Sequence, residues 1–471
     1  MALHLFNTLS RSIAEFCPLD PAGNKVGLYC CGPTVHDFAH IGNFRTFLFA
    51  DLLRRYLEFK NFQVNHVMNI TDVEDKIIRR VRENKTTLQE FTGKFEAAFF
   101  EDLTELNCLH PHQTPRATEH IAEIIALIEK LIARDVAYKA SDGSVYFSIE
   151  KYRGCGCKYG QLVNLNFEEM RAGERVSSDE YEKESIADFA LWKARVADDG
   201  EIFWPSPWGE GRPGWHIECS AMSMKCLGPS FDLHLGGEDL MFPHHEDEIA
   251  QSEGAGVQEH GKPFVTRWMH GAHLLVEGKK MSKSLGNYFT LRDLLGKGFS
   301  GREIRYLLIS SHYREQFNFT VEGLQGARTA LGRIDECLAK LRDIAGETKA
   351  ASDAAWLENF SSALDSDLNI SAAWGGIFDN VREINRLLAA NEMSAASAAS
   401  QLAAWEKINS VLGLRANSEM EIPVELNSLL EQRNEARKAK DFKRADVLRD
   451  ELKAKGWAID DTPKGARLKK V

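Results

Sequence analysis

No apolar run in the sequence approaches the roughly 18 residues that a membrane-spanning helix needs, so no membrane partner is expected. Residues 1–16 carry no basic head followed by an unbroken apolar stretch, and no secretory leader is expected either. Internal repeats are missing. So is a disulfide pattern: nine cysteines, an odd number, are scattered over 471 residues, which suits reduced thiols in the cytoplasm with some acting as ligands. A surplus of positive charge is absent too. The formal net charge of -11 would count against a nucleic-acid partner if it were uniform, but from Glu431 onward thirteen Lys/Arg face eight Asp/Glu. A mildly acidic body with a basic tail suits local contact with a polyanion.

What is present is an ordinary globular composition, 44% hydrophobic and 27% charged, in a chain long enough for about three domains. Residues 26–31 alternate as a strand that breaks at Gly32-Pro33, and a helix restarts near His40. Along it Phe44, Phe47, Leu48, Leu52, Tyr56 and Phe59 recur at helical spacing, with Arg54 and Arg55 expected on the other side. Residues 64–70 form a second strand, and the β-α-β unit implies a parallel pair buried on both faces. Thr71 and its neighbours then fall at the carboxyl end of that strand, where open α/β sheets hold ligands. The pattern is helical over 87–137. A β-rich, polar stretch over 138–197, with a loose segment over 173–184, reads as an insertion between two half-domains. The α/β pattern returns over 214–219, with a strand at 231–235, a helix from about Pro243 and another strand over 267–275. After Ser300, apolar stripes over 324–341, 374–388 and 402–411 specify a helical bundle, followed by two short charged helices over 425–455.

His244 and Glu248 stand four apart, so on a helix they project from one face. Cys31 and Cys219, taken singly, are ordinary buried thiols. Together the four fit a zinc set of two cysteines, one histidine and one glutamate, with the thiolates on loops after strands. His216, His234 and His245 are rival ligands that composition does not exclude. A strand, a turn and a helix N-terminus also make an anion site. There His40 and the helix start supply donors, and Gly42 lets a phosphate or ribose approach the backbone. Lys279-Lys280-Met281-Ser282-Lys283-Ser284 is a Gly-flanked loop able to close over a triphosphate. It is not a Walker A loop, which needs a Gly-rich turn ending in Gly-Lys-Ser/Thr.

His40-Ile41-Gly42-Asn43 followed by Lys280-Met281-Ser282-Lys283-Ser284 resembles the two nucleotide-binding signatures of class I aminoacyl-tRNA synthetases. Within that class the match is close to the cysteinyl-tRNA synthetase family. Tyr29-Cys-Cys-Gly-Pro-Thr-Val35, Asn69-Ile-Thr-Asp72, Gly214-Trp-His-Ile-Glu-Cys-Ser-Ala-Met222 and Gly236-Gly-Glu-Asp-Leu-Met-Phe-Pro-His-His-Glu246 carry it, with Glu248 two positions on. The resemblance covers nearly the whole chain.

The resemblance implies an α/β Rossmann-like catalytic domain with an insertion domain, followed by an α-helical bundle and a small C-terminal domain. The implied division is a first Rossmann-like half over 1–115, an insertion (connective) domain over 116–200 and a second half over 201–270. A lysine-loop and stem-contact region follows over 271–319, then the bundle over 320–416 and an anticodon-binding unit over 423–471. One Zn2+ per chain is implied at Cys31, Cys219, His244 and Glu248, with the substrate thiolate as an added ligand, and Mg2+ comes with ATP. The positions matching Thr71, Trp215 and His234 belong to the cysteine pocket. His40, Asn43, Lys280 and Lys283 carry catalysis, and with Gly42 they bind ATP. The implied reaction joins L-cysteine to tRNA(Cys) through a cysteinyl-adenylate, in a cytoplasmic monomer. Three points depart from the family pattern. Asn43 stands where the first signature often has a second histidine. Cys30 precedes Cys31, and only the family alignment, with the alternation of a strand, favours Cys31. Cys155 and Cys157 lie outside the usual motifs and read as surface thiols.

Overall fold

Alternation along strand β1 (Lys25–Cys30) sends Val26, Leu28 and Cys30 into the large apolar core. Tyr29 and the following Cys31 face a separate cluster with Cys219 and Trp268. The computed structural model describes residues 2–163, 188–256, 261–281, 285–415, 424–455, 457–462 and 465–470. In it β1 is followed by helix α1 (Ile41–Phe59) and strand β2 (Gln63–Met68), which pairs parallel with β1 as expected. Later come α2 (Trp215–Leu227), β3 (Phe231–Gly237), α3 (Glu246–Gly254) and β4 (Val265–Gly271). The sheet runs β4-β3-β1-β2, all parallel, and bridges from Val67 to Gln113 and Ile70 to Arg116 add a short fifth line. β1 thus has β2 on one side and β3 on the other. At that switch point the carboxyl ends of the strands open a ligand crevice.

Helix α1 differs from its sequence reading. Arg54, expected on a polar face, is 7% exposed, and Arg45 and Asp51 are buried as well. The helix is covered by the sheet on one side and by later helices on the other: Tyr56 donates to Asp365 (2.7 Å) and Arg305 to Asp51 (2.5 Å). A helix covered on both sides offers no polar face to water, so its charges are paired. Arg54 donates to the Glu58 carboxylate and to the carbonyl of His110.

Between β2 and α2 the chain builds an antiparallel sheet of Ala137–Lys139, Val145–Phe147, Phe189–Ala194 and Gly211–Pro213, packed with helix Ile121–Ala133 around its own core. The helical pattern over 87–137 resolves into Leu88–Glu105 and Ile121–Ala133, separated by the bridges at Gln113 and Arg116. The loose segment over 173–184 lies outside the described residues. The strand expected over 267–275 is two. After β4 the chain leaves the parallel sheet, Ala272 N–H donates to Tyr313 O, and Leu274–Val276 joins a small sheet with Lys279–Lys280 and Phe317–Phe319.

The bundle comprises Val321–Ala345, Ala354–Asp365, Ile370–Ala389 and Ala395–Leu412, and its core is continuous with that beneath α1. Helix Ala354–Asp365 escaped notice in the sequence because its buried stripe is thin: Trp356, Phe360 and Leu364. The chain divides into two compact units, one ending at Leu414 and one starting at Arg415. The second contains helices Val424–Lys438 and Phe442–Ala454 and the hairpin Trp457–Thr462/Gly465–Lys470, gathered on Leu426, Leu452 and Trp457.

Candidate functional site

The loops after β1 and β2 cross so closely that only glycine fits at position 32, where a Cβ would lie 1.7 Å from Asn69 O. Gly32 N–H donates to Asn69 Oδ1 (2.9 Å), and this crossing holds Cys31 at the strand end. Cys219 does not come from a loop after a strand. It sits in α2, whose start at Gly214 passes so near Ala190 O that a Cβ would come within 2.0 Å. Small residues follow, and Ser220 donates to Gln251 of α3 (2.6 Å). His244 lies in the turn leading into α3, and Glu248 one turn later within it.

These elements bring Cys31 Sγ to 3.9 Å from Cys219 Sγ and 3.8 Å from Glu248 Oε1, and His244 Nε2 to 3.2 Å from Glu248 Oε1. Donors at zinc distances of about 2.0–2.3 Å around a tetrahedral ion stand roughly 3.3–3.8 Å apart. The three separations lie close to that range, all four donor atoms fall within 4.8 Å of one another and all four residues are buried, so the set fits a single zinc ion. A second set, Cys31, His234, His245 and Glu248, also falls within 4.8 Å and shares two members with the first. There Cys31 Sγ is 3.4 Å from His245 Nε2, and His234 Nε2 is 2.9 Å from Glu248 Oε2. Of the rival ligands, His234 and His245 are therefore at the site itself. His216 stands one step back, with its Nδ1 2.9 Å from His244 Nδ1 and its Nε2 3.5 Å from Asp247 Oδ2. Cys30 is excluded from both sets by strand alternation.

Burial governs the charges here. It pushes Glu248 up to about 8 and His244 and His234 down to about 3, and raises the Cys31 thiol well above its ordinary value. At Cys219 the contact with Cys31 lowers the thiol, but burial and Glu248 more than offset it. Every donor is thus held near neutrality by its surroundings. A dication reverses that preference for thiol and carboxyl alike.

Around the donors, Trp215 stacks on His244 with ring centroids 4.5 Å apart and stays 37% exposed, a wall more than a core tryptophan. His234 is wholly buried and stacks on Trp268 at 4.4 Å. Thr71 is buried and bridges to Thr34, so the loops after β1 and β2 continue side by side into the crevice. Two residues escaped the sequence reading. Tyr29 has its hydroxyl beside Cys219 and Cys31, and only its alternation with Cys30 signalled that face. Asp247, which accepts from Tyr159, ties the insertion to His216, and no local spacing marks it.

At the other end of the crevice His40 is the N-cap of α1. Its Nδ1 accepts from Asn43 N–H (3.1 Å) while Asn43 Oδ1 accepts from His40 N–H (3.1 Å), a reciprocal capping box. A ring nitrogen that accepts carries no proton, so in neutral His40 the N–H is on Nε2. The ring packs edge-on to Tyr288, 5.4 Å between centroids. A Cβ on Gly42 would lie 3.0 Å from that ring and 3.3 Å from Met281 Cε. Met281 follows the short strand Lys279–Lys280, so Lys280 is brought to the mouth of α1. Lys283, with Ser282 and Ser284, lies outside the described residues. Cys155 is exposed and Cys157 half-buried, and neither belongs to a metal-capable group among the described residues.

Comparison with known proteins agrees with this arrangement. A family described as "tRNA synthetases class I (C) catalytic domain" matches residues 18–329, a "DALR domain" matches 359–417 and a "Cysteinyl-tRNA ligase anticodon binding domain" matches 419–467. A cysteine–tRNA ligase of Chlamydia muridarum (strain MoPn / Nigg) is 47% identical over 487 residues, covering 100% of both chains. The chain belongs to the cysteine–tRNA ligase family. The cysteine–tRNA ligase of Protochlamydia amoebophila (strain UWE25) is also 47% identical, over 478 residues, 99% of this chain and 98% of that one. Two solved structures share the fold at low identity. Mycobacterium tuberculosis methionyl-tRNA synthetase in complex with methionyl-adenylate has a TM-score of 0.58 at 13% identity, covering 83% of this chain and 89% of that one. The ternary complex of Agrobacterium radiobacter K84 agnB2 LeuRS with tRNA and LeuAMS has a TM-score of 0.60 at 11% identity, covering 86% of each. As a member of the cysteine–tRNA ligase family the chain is a class I aminoacyl-tRNA ligase, with an amino acid, ATP and tRNA as its substrate classes. Among the described residues no helix is long and apolar enough to cross a membrane.

Proposed function

We propose that this chain activates L-cysteine with ATP, transfers it to the 3′ end of tRNA(Cys), and selects cysteine by its thiol at a zinc site of Cys31, Cys219, His244 and Glu248. The observation that carries the reading is the gathering of four buried donors, two of them sulfur, within 4.8 Å of one another beside the carboxyl end of β1. Bound there, zinc supplies a soft Lewis acid that favours a thiolate over a serine hydroxyl as an added ligand. Trp215, stacked on His244, walls the cysteine pocket, the buried Thr71 belongs to it, and His234 holds Glu248 through Oε2. A site built around one polar group rejects an analogue lacking it by about 10⁴–10⁵ without editing.

In the first step the cysteine carboxylate attacks the α-phosphorus of ATP and pyrophosphate leaves. In the second a ribose hydroxyl of tRNA attacks the adenylate carbonyl and AMP leaves. His40 donates from Nε2 toward the α-phosphate, assisted by the N-terminus of α1. Asn43 holds the His40 backbone through Oδ1, which leaves its amide N–H groups for the nucleotide. Gly42 keeps the approach open, and Lys280 and Lys283 neutralise the departing pyrophosphate, with Mg2+ accompanying ATP. The division into halves over 1–115 and 201–270, an insertion over 116–200, a lysine-loop region over 271–319, a bundle over 320–416 and an anticodon unit over 423–471 belongs to this reading. So do a monomeric state and a cytoplasmic location. Exchange of pyrophosphate into ATP tests the first step, and charging of tRNA(Cys) the second. Exchange driven by cysteine and not by serine is expected; equal exchange with serine contradicts the reading.

A further inference from the structure

Arg45 lies on α1 two positions past Asn43, and its side chain is buried. Its guanidinium donates to five oxygens of two distant segments. Nη1 reaches the carbonyls of Ala272 (3.0 Å) and His273 (3.2 Å). Nη2 reaches the carbonyls of His312 (3.2 Å) and Glu315 (2.5 Å) and Ser311 Oγ (3.3 Å). The four N–H groups of Nη1 and Nη2, fixed in one plane, reach both segments at once, which the single nitrogen of a lysine ammonium cannot do.

Both segments form the base of the hairpin that carries Lys280. His273 leads into Leu274–Val276, which pairs antiparallel with Lys279–Lys280, and Glu315 leads into Phe317–Phe319, which pairs parallel with Leu274–Val276. The Glu238 carboxylate accepts from His273 N–H (2.7 Å) and holds the same base from the β3 side. All five hydrogen-bond acceptors of Arg45 are neutral oxygens, and the charges that partly offset its burial are the carboxylates of Glu238 and Glu315. A buried cation is a costly way to pack a core, and an apolar side chain would serve packing better. Burial lowers its pKa to about 10, which leaves it charged at neutral pH and its hydrogen bonds charge-assisted.

We propose that Arg45 is a positioning residue that locks the base of the Lys280 hairpin to the helix headed by His40, and so sets the separation of the two groups across the triphosphate. It acts through Lys280 and touches no substrate. The inference rests on the reading of His40 and Lys280 as nucleotide contacts.

Pyrophosphate exchange by Arg45→Lys, Lys280→Ala and the double variant tests it, with zinc content and melting temperature measured alongside. Arg45→Lys keeps the charge but cannot span both segments. Its kcat is expected to fall on the order of 10- to 100-fold, with the KM for cysteine and the zinc content unchanged. The double variant is expected to lose no more than Lys280→Ala alone, because nothing remains to be placed. Multiplied losses in the double variant, or a wild-type kcat in Arg45→Lys, overturn the proposal. If the Arg45 variants do not fold, Glu238→Ala loosens the same base. A loss of kcat that Glu238→Gln restores is expected, and a wild-type kcat in Glu238→Ala overturns the proposal. A wild-type rate in Lys280→Ala removes the nucleotide reading itself, and the positioning role with it.

Discussion

Asn43 has two jobs in this account, and substitution can part them. Its Oδ1 closes the capping box with His40, and its amide donates to the nucleotide. Asn43→Ala removes both. The cap bond from Asn43 N–H to His40 Nδ1 is made by the backbone and stays, so losing only the return bond to His40 N–H should cost about 0.5–1.5 kcal/mol of stability, and exchange should fall because the His40 backbone is no longer held. Asn43→Asp keeps the acceptor. It also adds a negative charge to a helix start whose first turn has no acidic residue, worth about 0.3–1 kcal/mol in favour of the fold. That same charge faces a triphosphate. At about 5 Å and an effective dielectric of about 20–80, the repulsion is about 0.8–3 kcal/mol per phosphate charge, or roughly fourfold to a few hundredfold in rate. The two variants are therefore expected to move in opposite directions in stability while both lose activity. Denaturant melts and cysteine-dependent pyrophosphate exchange read the two effects separately. A wild-type exchange rate in Asn43→Asp refutes the nucleotide role, and an unchanged stability in Asn43→Ala refutes the stabilising return bond of Asn43 Oδ1.

Gly42→Ala should leave stability near wild type, since alanine is the better helix former, yet exchange should drop as the His40 ring is displaced; a wild-type rate contradicts the packing of ring, Gly42 and Met281. Arg305→Leu takes one of two guanidinium partners from the buried Asp51 carboxylate, leaving Arg55 and the Leu109 N–H, and should cost about 1–3 kcal/mol at pH 7 in urea melts. At Asp51 burial raises the carboxyl, but Arg305 and Arg55 outweigh it and hold it below its ordinary 3.8. Its stabilisation is complete above that value and lost as pH falls through the lower folded value, so the variant's deficit should shrink in acid. An equal deficit at pH 7 and pH 3 contradicts this. Ending the chain after Leu414 removes the second compact unit and should spare exchange while reducing tRNA charging; equal loss of both contradicts an anticodon role for that unit.

Local periodicity carried the reading of this chain wherever one face of an element decides its fate. Alternation through Val26, Leu28 and Cys30 located β1 and left Cys31 on the side of Cys219, and the i, i+4 pair His244 and Glu248 fell on one helix turn. It failed where an element is buried on every side. Arg54 looked like a solvent residue because α1 shows a clear apolar stripe, yet it is buried and donates to the carbonyl of His110, while Tyr56 on the same helix reaches Asp365 of the bundle, partners some 60 and 300 positions away. Cys219 was expected on a loop after a strand, beside the returning α/β pattern at Gly214. That glycine is there for close approach to Ala190 O, and a helix follows. Arg45 and Asp247 carry no local signature, and Tyr29 only its strand alternation, since their partners come from segments joined only by folding. The motifs named the chemistry, but which histidines touch Glu248 and which stand behind them depended on the packing of α3 against β3 and β4.

Selection of cysteine by its thiol at a metal is the central claim, and it can be read without turnover. With zinc replaced by cobalt(II), the two thiolates of Cys31 and Cys219 should give a sulfur-to-cobalt charge-transfer band that Cys219→Ser weakens. Adding cysteine should intensify the band as a further thiolate joins, and adding serine should leave it unchanged. A spectrum indifferent to cysteine, or one that responds equally to serine, contradicts the account.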